Sequence, residues 1–246
     1  MNRELVNILR LTVDALPPKI RNSKKFFSIA QRFFNIPNHL YYFREDFKNG
    51  KIKDLASLYI KGNPLELPDP NDKGGINFFH MRLIRKYIKQ QSPNSILDVG
   101  CGSGYLISFL DQLTCKTQIV GIDVEPPELD ELIYKKNNNI KFLKGKVDNL
   151  LKNFEENSFE TVFCTHFLEH IENPEYVIRE LRRICSKTLI LICPIEKPYQ
   201  WGFNYHVNFY INTDSFVKTV LKDNNLNSEF KSHERIGDTM YVEFMD

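Results

Sequence analysis

The chain has 246 residues, 42% of them hydrophobic and 26% charged, with a net charge of +2: room for one large domain, or a domain plus a cap, in an ordinary globular composition. No apolar run reaches the ~18–20 residues of a membrane span, and Glu4, Asp14 and Pro17-Pro18 break up any signal-peptide core, with no small-residue cleavage site after them. Five scattered cysteines (101, 115, 164, 185, 193), none in a Cys-x-x-Cys pair, predict reduced thiols, a cytoplasmic location and no cysteine zinc site.

The charge is uneven. Residues 1–60 hold eleven Lys/Arg against five Asp/Glu, and the remainder is net acidic. Such a basic segment either meets an anionic substrate or membrane surface, a peripheral contact, or forms a solvated helix face. Leu5, Ile8, Leu9 and Val13 fall at helical spacing until Pro17-Pro18 ends the segment. A second helix is predicted over 24–34, basic on one side, and 38–47 is dense in aromatics (Tyr41, Tyr42, Phe43, Phe47). Residues 61–75 are rich in Pro, Gly, Asn and Asp and read as a linker. Residues 1–75 are therefore expected to form a helical cap and linker, and 76–246 the core; packing on the outside of a sheet is the competing role for the cap.

A helix is predicted over 76–90, then a strand from Ser95 to Val99, a glycine turn, and a helix over 105–113. Gln118 to Asp123 reads as the second strand. Pro126-Pro127 opens a helix over 128–136, and 140–143 is the third strand. Ser158 to Thr165 holds the fourth strand. Asn173-Pro174 caps a helix reaching about Ile184, and the wholly apolar run 188–193 is a strand covered on both faces. A helix over 213–221 and two short strands, 228–233 and 239–244, complete the chain. Alternation of strand and helix predicts an α/β, doubly wound, mostly parallel sheet.

The turn carries the chemistry. Asp98-Val-Gly100-Cys101-Gly102-Ser-Gly104 joins a buried strand to a helix N-terminus. Glycines let a ligand approach the backbone, and the helix start offers unpaired N–H groups. A dinucleotide G-x-G-x-x-G fingerprint needs a third glycine at position 105, where Tyr105 sits. Asp123, closing the next strand, is placed to accept ribose hydroxyls.

At these residues the sequence resembles the class I S-adenosylmethionine (SAM) methyltransferases, over roughly 92–221. The resemblance implies a seven-stranded Rossmann-like core with antiparallel end strands, SAM as cofactor, and a substrate lid before the core. It also implies Gly100, Cys101, Gly102 and Gly104 at the methionine end, Asp98 at the amino group, Asp123 on the ribose, and Val124 on the adenine, with Thr165 closing the site. Related sequences carry Gly-Asp-Ala after the third strand; here Gly145-Lys146-Val147 lacks the acid, leaving Asp148 or a backbone amide beside Val147 to read the adenine.

The second informative stretch is His166-Phe-Leu-Glu169-His170. It matches His-x-x-Glu-His, a metalloprotease pattern, but follows a strand of a nucleotide fold rather than lying inside a long helix. If helical, positions 166, 169 and 170 share one face, at the carboxyl end of the sheet where such folds bind ligands. His206 follows the fifth strand. The layout resembles metal-assisted O-methyltransferases, namely small-RNA 3′-terminal 2′-O-methyltransferases and ubiquinone-pathway enzymes, which carry Glu-x-x-Glu-His. Position 166 is His here instead of Glu. Three readings stay open: a divalent metal on His166, Glu169, His170 and His206; His166 or His206 as a metal-free base or substrate ligand; or a packing role for these residues.

Tyr199, Trp201, Phe203, Tyr205, Phe209 and Tyr210 suit stacking on a ring or sugar, a cation–π contact to the sulfonium, or plain core packing. Thr165-His166-Phe167-Leu168 has nothing of the Asp/Asn-Pro-Pro-Tyr of base-methylating enzymes, and no RNA-binding module is recognisable, so nucleic acid is disfavoured. The expected function is methyl transfer to a hydroxyl of a small molecule: a sugar, a phenol or a lipid-linked intermediate. The alternatives are an NAD-dependent oxidoreductase, disfavoured by Tyr105, and a catalytically silent SAM-fold binding protein.

Overall fold

The computed structural model describes residues 11–33, 38–62, 76–114, 116–125, 139–199, 204–222, 229–235 and 237–245. The predicted helix over 128–136, most of the 61–75 linker, Cys115, Trp201 and Phe203 lie outside these residues.

Among the described residues a short helical turn, Pro18–Arg21, is followed by the helices α1 (Lys24–Phe33), α2 (Asn38–Lys48) and α3 (Ala56–Gly62). Then come α4 (Phe78–Gln91), β1 (Ser95–Val99), α5 (Tyr105–Leu113), β2 (Gln118–Asp123), β3 (Ile140–Lys144), α6 (Val147–Leu151), β4 (Phe159–Thr165), α7 (Pro174–Ile184), β5 (Cys185–Pro194), α8 (Thr213–Leu221), β6 (Glu229–Arg235) and β7 (Asp238–Phe244). The seven strands lie in the order β3-β2-β1-β4-β5-β7-β6. The first five are parallel; β7 runs antiparallel between β5 and β6.

The strand period of two sorts side chains to opposite faces. Leu97, Val162, Leu189 and Leu191 pack with α7 and α8, whereas Ile96, Phe163, Ile190 and Ile192 pack with α4 and α5. Both faces are thus covered, which is why β5 reads as a continuous apolar run. Local signals set the helix starts. The Asn77 side chain accepts from His80 N at the start of α4, Asn173 accepts from Tyr176 N before Pro174 of α7, and Asn212 and Ser215 form a reciprocal capping box on α8. Arg182 of α7 grips Glu243 of β7 with Nε and Nη2 at 2.8–3.0 Å, and Glu243 also accepts from Tyr241 Oη.

Several element ends shift by one to three residues from the sequence reading, and three differences matter to the site. β5 begins at Cys185 rather than Thr188, because α7 runs directly into it and Cys185 pairs with Phe159 across a bulge. α6 occupies the stretch expected only to supply an adenine contact. His166 takes φ +52°, so it leaves the right-handed helical region, and only Leu168–His170 form a single 3₁₀ turn. Positions 166, 169 and 170 therefore do not share a helical face. Among the described residues no helix is long and apolar enough to cross a membrane, and Cys101, Cys164, Cys185 and Cys193 are unpaired and buried.

Candidate functional site

β2 and β4 flank β1, and their chains leave in opposite directions, so a crevice opens beyond the carboxyl ends of the strands. The glycine turn lies there. Gly100 N and Cys101 N both donate to Ile122 O, at 2.9 and 3.2 Å, and Gly104 N donates to Cys101 O at 2.9 Å. Gly100, Gly102 and Gly104 take φ of +72°, +50° and +76°. At Gly100 a Cβ would lie 2.5 Å from the Phe167 ring, so only glycine lets Phe167 cover the turn. At Gly102 a Cβ would meet nothing within 4 Å, which marks the open side of the cradle.

Asp123, at the end of β2, accepts from Gly102 N at 2.9 Å and from Glu125 N at 3.2 Å. A carboxylate offers about four acceptor sites, so capacity remains for hydroxyl donors. Asp98 sits behind the turn, 1% exposed, and its Oδ1 is buried without a hydrogen-bond donor among the described residues. Burial, reinforced by the negative charge of Asp123, pushes its pKa up to about 8. A buried acceptor of this kind retains capacity for a hydrogen-bond donor. Cys101 is buried, with its thiol pushed up by desolvation. Val124 and Thr165 are half-buried at the ends of β2 and β4. Val147 sends its side chain into the core beside Leu151 and Ile122, and Asp148 is exposed in the first turn of α6.

The histidine stretches are sewn together by backbone. Val207 N and Asn208 N donate to Glu169 O at 2.8 and 3.1 Å, and Asn208 Nδ2 donates to Leu168 O at 2.9 Å and Ile171 O at 2.5 Å. This lays residues 204–210 against the 3₁₀ turn. One ligand-type atom from each of Glu169, His170 and His206 lies within 4.8 Å of the others, and the two imidazole rings meet edge-on at 4.6 Å. His166 stands beside that group: its Nδ1 is 3.5 Å from Glu169 Oε1. Glu169 is 1% exposed and also accepts from the Cys193 thiol at 3.8 Å.

Residues the sequence reading did not single out complete the site. His170 Nδ1 meets Tyr59 Oη of α3 at 2.5 Å and Tyr205 O at 3.3 Å. Burial and the charge of Glu169 push the Tyr59 hydroxyl well above its ordinary pKa. His206 Nδ1 lies 2.5 Å from Glu196 Oε1, just past β5. Of the aromatic loop, Tyr199 and Phe209 clamp a cation of the chain itself: the Arg44 guanidinium is 3.7 and 4.6 Å from their ring centroids and donates to Tyr199 O at 2.8 Å. Tyr210 is core, and Tyr205 packs against Phe43 and Tyr59. The described helices of the N-terminal region thus touch both histidines' surroundings. An acid directly after an apolar strand was the one sequence signal for Glu196.

Fold, glycine turn and strand-end acid define a nucleotide-type α/β protein. Comparison with known proteins narrows this. Residues 97–193 match the family model described as "Methyltransferase domain". The chain is 30% identical over 118 residues to the ubiquinone biosynthesis O-methyltransferase of Rickettsia bellii (strain OSU 85-389), covering 46% of this chain and 47% of that protein. It is 33% identical over 183 residues to the mitochondrial ubiquinone biosynthesis O-methyltransferase of Saccharomyces cerevisiae, covering 65% and 57%. The chain thus spans about half the length of the curated relatives it matches. Its fold is similar to that of a SAM-dependent methyltransferase from Aquifex aeolicus (TM-score 0.51, 18% identity, 79% of this chain and 100% of that one). Residues 97–193 thus match a methyltransferase domain, on a fold shared with SAM-dependent methyltransferase structures.

Proposed function

We propose that this protein transfers the methyl group of SAM to a hydroxyl of a small molecule, with residues 1–75 as cap and linker over a core of 76–246. The observation that carries the reading is that the carboxyl ends of the parallel strands carry two groups at one edge of the sheet: Asp98, Gly102 and Asp123 on the donor side, and Glu169, His170 and His206 on the acceptor side. The names of the curated relatives support a hydroxyl acceptor.

Asp98 holds the ammonium of the donor and Asp123 its ribose hydroxyls, while the Gly100–Gly104 backbone lets the methionine end approach closely. The sulfonium is already activated, so alignment of donor and acceptor supplies most of the acceleration, up to ~7–11 kcal/mol in ideal cases. Phe167 packs over Gly100 of the turn, and Tyr59 and Tyr205 pack beside His170, so aromatic surface lies next to both half-sites. The donor set of two imidazoles and one carboxylate fits a divalent metal, with Glu169, His170 and His206 as ligands and His166 alongside. When bound, such an ion supplies Lewis acidity that eases removal of the acceptor proton. Without it, the imidazole of His206 or His166 takes that proton. Exposed Ile20 and Ile29 beside Lys19, Lys24 and Lys25 support contact of this segment with an anionic surface.

The test is transfer of radiolabelled methyl from SAM to a panel of phenols, catechols and sugars, with and without EDTA. Label in a hydroxylated acceptor is expected, with the rate lowered by EDTA. Label confined to amine acceptors overturns the hydroxyl assignment, absence of saturable SAM binding overturns methyl transfer, and full activity in excess EDTA overturns the metal.

A further inference from the structure

We infer that Glu196 is a positioning residue that fixes the tautomer of His206 and so decides which imidazole nitrogen serves the acceptor half-site. The inference rests on the reading above that His206 belongs to that half-site. Glu196 is not adjacent to the reacting groups in sequence; it follows β5, where Ile195 bridges to Tyr210 and Glu196 N donates to Tyr210 O at 2.8 Å. That backbone pairing holds its carboxylate, 1% exposed, against the ring of His206.

The tautomer follows from donor and acceptor chemistry. Two groups face His206 Nδ1. Glu196 Oε1 is at 2.5 Å and Asn204 Nδ2 at 3.1 Å from Nδ1. A carboxylate only accepts, so an unprotonated Nδ1 at that distance would set lone pair against lone pair. Asn204 has other commitments: its Nδ2 donates to Tyr199 Oη at 2.9 Å, and its Oδ1 accepts from His206 N and from Arg44 Nη2. Its amide orientation is therefore set with the donor Nδ2 toward the ring; the carboxylate, at the shorter distance and able only to accept, takes Nδ1–H. The lone pair then resides on Nε2, the nitrogen left to serve as metal ligand or proton acceptor. At His170, Nδ1 lies against Tyr59 Oη at 2.5 Å and the Tyr205 carbonyl at 3.3 Å. Both rings are thus held by groups outside the cluster, an arrangement that fixes ring orientation and raises ligand basicity. Because Asn204 also binds Arg44, docking of α2 and the setting of His206 are one event.

The experiment uses the full chain, labelled with ¹⁵N-histidine and freed of metal, at a pH about two units above the imidazole range so that the rings are neutral. Two-bond ¹H–¹⁵N spectra report the tautomer of each ring, and His206→Ala identifies its signals. Nδ1–H is expected in the wild type, retained in Glu196→Gln, whose amide oxygen still accepts, and shifted toward Nε2–H in Glu196→Ala. A second arm titrates Zn²⁺ by competition with a chelating dye: Glu196→Ala is expected to bind about 10–100-fold more weakly, with Glu196→Gln between it and wild type. S-adenosylhomocysteine binding serves as the fold control, and Glu196→Gln carries the test if the alanine variant misfolds. A wild-type Nε2–H signal, or an unchanged tautomer in a folded Glu196→Ala protein, overturns the inference. Wild-type protein that shows Nδ1–H yet binds no zinc overturns the metal part of the proposed function while supporting the role of Glu196.

Discussion

Replacing Asp98 with Asn separates two demands on one buried carboxyl. Asp98 is 1% exposed, and its pKa is pushed up from 3.8 to about 8 by burial and then by Asp123. The folded protein therefore keeps a proton that the unfolded chain releases, and the carboxyl costs stability as pH rises from about 4 to about 8. At pH 7 that cost is on the order of 4 kcal/mol. Asparagine does not titrate, but its buried amide donors bring back about 1–3 kcal/mol of desolvation. The variant is expected to melt higher than wild type in the absence of ligand, with the difference growing from pH 5 to pH 8. Binding reverses the preference. An ammonium paired with Asp98 pulls its pKa back toward the ordinary carboxylate range, well below 7, so about nine-tenths of a proton leaves on binding at pH 7. S-adenosylhomocysteine carries the ammonium without the sulfonium and isolates this effect. Calorimetry in two buffers of different ionisation enthalpy counts the proton. Wild type should release it; Asp98→Asn should release none and bind at least about tenfold more weakly, the loss of one charge-assisted hydrogen bond. No proton release by wild type, or equal affinity in the variant, refutes the reasoning.

Other substitutions probe the scaffold. Arg44→Ala removes a guanidinium that is 4% exposed, stacked between Tyr199 and Phe209 and bonded to Asn204; urea denaturation should show a loss of about 2–4 kcal/mol. Gly100→Ala forces a side chain into φ +72° and against the Phe167 ring at 2.5 Å, so S-adenosylhomocysteine affinity should fall about tenfold, for roughly 1–2 kcal/mol of strain; unchanged affinity would argue that Phe167 and the turn move freely. Arg182→Met strands the fully buried Glu243 carboxylate and should destabilise by about 3–5 kcal/mol in thermal denaturation, whereas Arg182→Met with Glu243→Leu should recover much of the loss.

The donor half-site was legible in the sequence because its determinants are local. An apolar run, three glycines at alternate positions and an acid closing the next strand give β1, the turn and β2 with the boundaries observed. The adjacent Asn173-Pro174 cap placed α7 for the same reason. The acceptor half-site was only partly legible. Glu169, His170 and His206 were identified by residue type, but a shared helical face was the wrong geometry, since His166 turns into the left-handed region and His206 arrives through backbone bonds to the 3₁₀ turn. The supporting residues escaped notice because their partners are distant in sequence: Tyr59 reaches His170 across 111 positions and Arg44 reaches Tyr199 across 155. No periodicity or motif encodes such pairs. Glu196 sits in a stretch whose polar composition reads as loop, and its role emerges only when the isolated bridge to Tyr210 presents it to His206.

The central claim is that the glycine turn and its two acids hold an adenosyl donor beside the histidine cluster. A crystal structure of the full chain grown with S-adenosylhomocysteine tests it most directly. The account predicts the ligand ammonium on Asp98 Oδ1, both ribose hydroxyls on Asp123, and the thioether sulfur facing Glu169, His170 and His206. A ligand bound elsewhere, or a sulfur turned away from that cluster, would contradict it.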